Sequence, residues 1–302
     1  MSIQVRYTQG NKDSVCPIGR SSFEPTRFAE QFETWSPDWD KPVIVSHGTK
    51  LKHDELEIGK QAYRDGKPDF KNGDTVLLFE EAQHYIALEA DFFTRLLFTE
   101  AQWLNRRVKL GALEEMSIAD ALRTRRSPGD AFWVEAGLPG VPLAIGVNAS
   151  IRADNDTWEL LAHKQGKAQG GMGDTVGPPV SGGITLDIEM PPEGRSLTLD
   201  TFVKACMQSV AERELEGKAL VPPLVRRAAW LDKARGYKPE INFLSMVPAV
   251  KHGRYEQVIC KEHAGCITLD GHLDKQSCLV DEAYAEFKSL AFNAQAWCLW
   301  SK

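Results

Sequence analysis

Between Leu143 and Gly217 the chain runs strand, strand, glycine-rich turn and helix in immediate succession, and this order constrains the fold more than any other stretch. Leu143–Ile151 is apolar and extended in character, Asn155–Asp156 reads as a turn, and Trp158–His163 returns as a second strand, which makes a hairpin. QGGMGDTVGPPVSGGI follows, its glycines and prolines excluding regular helix up to Gly183. Leu199–Glu216 is then predicted as an amphipathic helix. Phe202, Ala205, Cys206, Val210 and Leu215 form its apolar face, and Asp200 stands in the first turn, where a carboxylate complements the helix dipole.

The order of these parts resembles the Nudix superfamily. The strand AIGVNASIRADNDTWELLAHK and the segment GPPVSGGI, with its proline pair and the glycines Gly182 and Gly183, stand where that family has a strand and a loop ending in paired glycines. The family's signature helix carries Arg-Glu, a hydrophobic residue, any residue and then Glu-Glu. The resemblance covers roughly residues 140–265 and implies a mixed-sheet α/β/α sandwich of the α+β type. It also implies Mg²⁺ or Mn²⁺ held by carboxylates, and a nucleoside diphosphate-linked ligand whose pyrophosphate bond is hydrolysed. Hard divalent cations take oxygen ligands, and carboxylates one helical turn apart lie on one face and share an ion. Such a metal neutralises phosphate charge and activates water.

Set against that pattern in one register, Gln208-Ser209 stands at the Arg-Glu pair, Val210 at the hydrophobic position, Glu212 at the first paired glutamate and Arg213 at the second; in a shifted register Arg213-Glu214-Leu215 is the Arg-Glu-hydrophobic triplet, and Glu216-Gly217 ends the motif before the paired glutamates. Asp200 takes an earlier glutamate's place, with residues 185–198 as an insertion. Glu212 and Glu216 are four apart, and Glu189 follows Gly183 closely enough to reach the same place. The residues that the resemblance implies are therefore Glu212 and Glu216 as catalytic carboxylates. Glu212, Glu216, Glu189 and Asp200 would be metal ligands, and Gly182, Gly183, Arg226 and Arg227 would contact the ligand. Two functions compete: a metal-dependent nucleoside diphosphate-X pyrophosphohydrolase, and a catalytically inactive module of the same fold used for ligand sensing or protein-protein interaction. Paired glycines also serve backbone geometry alone, by permitting positive φ or close packing.

The rest of the chain divides softly near Ser127–Gly140, where Pro128, Gly129, Gly137, Pro139 and Gly140 cluster. Residues 1–130 form an N-terminal α/β region that offers a surface for a protein partner, and residues 131–302 the Nudix-like domain. In the first part, Pro25–Thr34 reads as a short helix and KPVIVSHG, DTVLLFEEA and HYIALEA as strands. Ala90–Arg107 reads as a helix with Asp91 as its N-cap, and a second helix opens at Ser117. Beyond residue 217, PPLVRRAAWLDKARGYKPE reads as a short helix or irregular run. INFLSMVPAV and RYEQVICKEH read as strands, and Asp281–Phe292 as a last helix.

Composition bounds the function class. A net charge of −6 over 302 residues argues against nucleic acid as the main partner, leaving local patches such as RTRR (123–126) and VRRAAW (225–230) as phosphate contacts or as helix-end charge. No apolar run approaches the roughly 20 residues that cross a bilayer, and the N-terminus carries no signal-peptide pattern, so a cytoplasmic protein is expected. Cys260, His263, Cys266, His272 and Cys278 are spaced as soft metal ligands but without paired C-x2-C knuckles, and buried cysteines and loop histidines account for them as well. Trp133, Trp158 and Trp230 are candidates for stacking on a nucleobase or for core packing.

Overall fold

A computed structural model describes residues 4–9, 12–17, 32–51, 61, 73–99, 107–108, 116–154, 159–165, 176–177, 180–186, 188, 197–214, 225–248 and 263–270. In chain order the strands are β1 (Gln4–Gln9), β2 (Lys12–Pro17), β3 (Phe32–Thr34), β4 (Val43–Lys50), β5 (Asp74–Glu80) and β6 (Tyr85–Asp91). After helix α1 (Phe92–Leu97) come β7 (Arg107–Val108), β8 (Met116–Ser117), helix α2 (Ile118–Thr124) and helix α3 (Ala131–Glu135). The rest comprises β9 (Val141–Leu143), β10 (Gly146–Asp154), β11 (Glu159–Gln165), β12 (Val176–Gly177), β13 (Val180–Gly183), helix α4 (Leu199–Glu214), β14 (Val225–Asp232), a 3-10 turn (Lys233–Arg235), β15 (Lys238–Pro248) and β16 (His263–Asp270). This is a mixed α+β architecture, as expected.

The main sheet runs β2-β1-β16-β11-β10-β15-β14-β3, with β12 on β11 and β13 on β10. The first half of β10 pairs with β13 on one edge, its second half meets β11 there, and its other edge is parallel to β15. A second sheet, β4-β6-β5-β9, lies in the first half of the chain. Thr75 to Phe79 in β5 are all buried, which is why this strand reads as an unbroken apolar run and not an alternating one. Its carbonyl and amide groups are shared by β6 and β9, while Glu81 N donates to His84 O at 3.0 Å to close the β5–β6 turn.

Several elements differ from expectation. Phe32–Thr34 is not helical; it is the edge strand that pairs with β14. The helix after Asp91 is real, and Asp91 Oδ1 accepts from Thr94 N at 2.8 Å, but it closes at Leu97, and Arg107 lies in a strand. The Pro/Gly-rich run 127–140 contains a helix, α3. Asp130 caps it, and Leu138 N donating to Trp133 O at 2.8 Å with Gly137 at φ 80° closes it as a Schellman turn. Val180–Gly183 is a strand, not part of a loop, and Val225–Asp232 is a full strand where a short helix or irregular run was expected. Most of the strand expected over 254–263, and the helix expected at 281–292, lie outside the described residues.

Hydrogen bonds cross the expected 130/131 boundary at the places that matter for the glycine pair and the helix. Ile184 O, just after Gly183, accepts from Val76 N and from Thr75 Oγ1, each at 3.0 Å. Val43 N donates to Leu197 O at 2.7 Å, and a bridge joins Pro42 to Thr198 at the entry to α4. Helix α4 buries Phe202, Val203, Cys206, Met207, Val210 and Ala211 in one hydrophobic core with Val147, Ala149, Ile241 and Phe243 of the main sheet. Burying each of the larger of these side chains contributes about 1.5–3 kcal/mol.

Candidate functional site

Of the expected metal ligands, the two on described residues, Asp200 and Glu212, do not converge. Asp200, in the first turn of α4, is held by its i+4 neighbour, with Lys204 Nζ donating to Oδ2 at 2.6 Å. Glu212 is exposed on the same helix and accepts from Gln208 Nε2 at 3.3 Å. Twelve residues of helix separate the two carboxylates, about 18 Å at 1.5 Å per residue, so they do not share one ion. Glu189 and Glu216 lie outside the described residues, as do Cys260, His272 and Cys278. His263 and Cys266 lie along β16. Among the described residues no three His, Cys, Asp or Glu side chains gather as a metal site, and the described carboxylates of α4 do not fit a shared Mg²⁺ or Mn²⁺.

The start of α4 is also occupied. Leu199 N donates to Lys41 O and Asp200 N to Trp39 O, both at 3.0 Å, and Thr201 N donates to Thr198 Oγ1 at 3.3 Å. These are donors that a helix N-terminus would otherwise offer to a phosphate. Here the chain itself takes them.

Gly182 and Gly183 sit in β13 opposite Val147 and Gly146 of β10. Gly129, Gly137 and Gly236 are the described glycines at positive φ, so the pair does not serve an unusual backbone. A Cβ on Gly183 would stand 2.9 Å from Cζ of Arg95, a residue of α1 that lies buried over it. Arg226 and Arg227 lie on β14, at a register shift against β15.

What the sequence did not announce is a buried polar face on the main sheet. Residues in register across strands share a face. One rung therefore runs Gly183, Gly146, Glu240, Trp230, Thr34, with Asn148 opposite Asn242 and Asp232 opposite Lys238 beside it. Glu240 Oε1 is ion-paired with Lys238 Nζ, Glu240 Oε2 accepts from Asn148 Nδ2 at 3.0 Å, and Arg235 Nη1 stands 3.8 Å from Oε1. A Cβ at Gly146 would press on Glu240 and lie 2.6 Å from Lys238 Nζ, so glycine is what admits the ion pair between the strands.

Burial drives the Lys238 ammonium well below the usual lysine range; the Glu240 carboxylate pulls the other way, and Arg235 and Arg95 add to the lowering. Burial alone would raise Glu240, but Lys238, Arg235 and the hydrogen bonds from Lys238 and Asn148 hold it below the ordinary carboxylate value. The one advance signal was the K-P-E start of an otherwise apolar strand, two charges at i and i+2 on a single face.

The other expected contacts resolve individually. Arg123 pairs with Asp120 at 2.5 Å, and Arg125 lies over the Phe132 ring. Arg126 reaches Glu33 at 3.1 Å and stacks 4.2 Å from the Tyr237 ring centroid. Trp133 and Trp230 are fully buried, which makes both core residues and not stacking platforms. Trp158 lies outside the described residues. No helix among the described residues is long and apolar enough to cross a membrane.

No family model matches the chain, and no curated protein matches it in sequence. Solved structures overlay parts of it. DR0079 from Deinococcus radiodurans does so at 11% identity over 42% of this chain and 67% of that one, with a TM-score of 0.27. A mutT/nudix family protein from Listeria innocua shows 14% identity over 51% and 88%, at 0.32. A NUDIX hydrolase from Nitrosomonas europaea shows 15% over 42% and 72%, at 0.26.

Proposed function

We propose that this chain binds a nucleoside diphosphate-linked ligand without hydrolysing it, as a module that keeps the strand, glycine pair and helix of a Nudix-like scaffold. One observation carries this reading: the described carboxylates of α4, Asp200 and Glu212, are engaged separately. Asp200 is tied to Lys204 and Glu212 to Gln208, about 18 Å apart along the helix. A metal-dependent step at phosphorus needs several oxygen ligands on one ion. Either register of the motif supports the same reading: one puts Gln208-Ser209 in place of the Arg-Glu pair, and the other, with Arg213-Glu214 as that pair, lacks the paired glutamates.

The test is a panel of ADP-ribose, NAD, dinucleoside polyphosphates and nucleoside triphosphates, each with Mg²⁺ and Mn²⁺. Titration calorimetry on the full chain should give micromolar binding to at least one compound, with no release of phosphate or nucleoside monophosphate. Turnover that disappears in Glu212→Gln would overturn the non-hydrolytic reading in favour of the pyrophosphohydrolase. Absence of binding across the panel would refute the ligand itself and leave protein-protein interaction as the role to test.

A further inference from the structure

Cys266 of β16 and His163 of β11 are distant in the chain, yet the antiparallel register sets them directly opposite each other in the main sheet. The same rung continues to Thr8 of β1 and Asp13 of β2 on one side, and to Gly177 of β12 on the other. The immediate neighbours of the pair are thus a threonine and a glycine, and neither brings a charge. Directly opposite residues of an antiparallel ladder have Cβ atoms about 4.5–5.5 Å apart, the separation at which cross-strand pairs interact.

An irregularity in the ladder adds a second imidazole. Lys164 pairs with Gly265 but Gln165 pairs with His263, so β16 carries one extra residue, Ala264. Three positions apart, His263 and Cys266 would fall on opposite faces of an unbroken strand. The bulge returns His263 to the Cys266 face, because their partners Gln165 and His163 are two positions apart. In these five strands the other charged positions on that face are Arg6 one rung along, Asp13 beyond Thr8, and Glu159 with Asp270 two rungs along.

We propose that Cys266 and His163 form a reactive thiol site, in which the pair ionises as thiolate and imidazolium and Cys266 is modified by low-molecular-weight disulfides. The thiolate is the nucleophile, and a neighbouring imidazolium lowers the pH at which it forms. Arg6 and His263 act in the same direction, while the carboxylates at 13, 159 and 270 oppose it from two strands or two rungs away, where the Coulomb interaction is weaker. The step balances. The thiol proton passes to the His163 imidazole, and the Cys266 sulfur bonds to one sulfur of the disulfide. The disulfide bond breaks, and its second sulfur leaves with the electron pair as a thiolate.

The experiment alkylates the full chain with iodoacetamide between about pH 5.5 and about pH 9.5 and reads Cys266 by peptide mass mapping. The probe reports the thiolate, since a carbon–sulfur bond forms as iodide leaves. The midpoint at Cys266 should lie at least about one unit below the roughly 8.5 of a free cysteine, and at about pH 6.5 the rate should be about ten-fold higher than in His163→Gln. Oxidised glutathione should load the same residue as a mixed disulfide. Should His163→Gln not fold, His163→Lys keeps a cation at that register position and should keep the low midpoint. A midpoint near the free-cysteine value in the wild type or in His163→Lys, equal rates in the wild type and His163→Gln, or no modification of Cys266 by either reagent overturns the site.

Discussion

Glycine at 146 is decided by its neighbours across the sheet. A Cβ there would press on Glu240 and Lys238, both of them buried and ion-paired to each other. Gly146→Ala is therefore expected to destabilise the protein by about 1–3 kcal/mol, the range of overpacking in a close-packed interior. Denaturant unfolding measures it, and a loss below about 0.5 kcal/mol, the level of an ordinary surface change, would show that the ion pair is not wedged against this strand. Gly183 meets Arg95 in the same way, but through the head of a longer side chain. The paired glycines were visible in the sequence. That Gly183 makes room for a charged side chain was not, because Arg95 is 88 positions away and nothing local points to it.

Among the elements, the helices show best where local sequence suffices. Ser117 was legible as an N-cap, and its Oγ accepts from Asp120 N at 3.0 Å and donates to Asp120 Oδ2 at 2.7 Å. Ser117→Ala should cost about 1 kcal/mol, read as a lowered unfolding midpoint with an unchanged denaturant slope; an unchanged midpoint would remove the cap from the account of α2. Helix α3 was hidden by the same residues that define its ends. Asp130 and Gly137 are a start and a stop signal five residues of helix apart, and the surrounding Pro128, Pro139 and Gly140 made the run look like a linker. Strand β14 was hidden for another reason. VRRAAWLD has no alternation of apolar and charged residues, and its extended form comes from pairing with β15 on one edge and β3 on the other.

At the scale of the molecule, the two stretches expected as separate regions exchange strands and hydrogen bonds. β1 pairs with β16, β3 with β14 and β5 with β9, while Lys41 and Trp39 carbonyls hold the first amides of α4. We expect residues 131–302 expressed alone to lack a cooperative unfolding transition, since Ile184, Leu197 and the start of α4 lose their backbone partners and the core loses β5 and β6. A sharp, two-state melt of that fragment would show the opposite, that the second part folds independently.

The sequence by itself determined the mixed α+β class, the strands β5 and β6, the caps at Asp91 and Ser117, and the order of strands and helix from β10 to α4, because periodicity and capping act between residues close along the chain. The single strand expected over Leu143–Ile151 divides instead into the end of β9 and the start of β10, which lie in different sheets. The sequence also showed that neither register of the motif on α4 supplies both an Arg-Glu pair and the paired glutamates after it. Tertiary structure alone decided that Lys41 and Trp39 close the helix start, and that Arg95, Lys238, Glu240 and Asn148 meet on one buried face. The buried face depends on strand register. A shift of one residue would send Glu240 to the opposite face, and register is fixed by contacts between segments roughly a hundred residues apart, which no local pattern encodes.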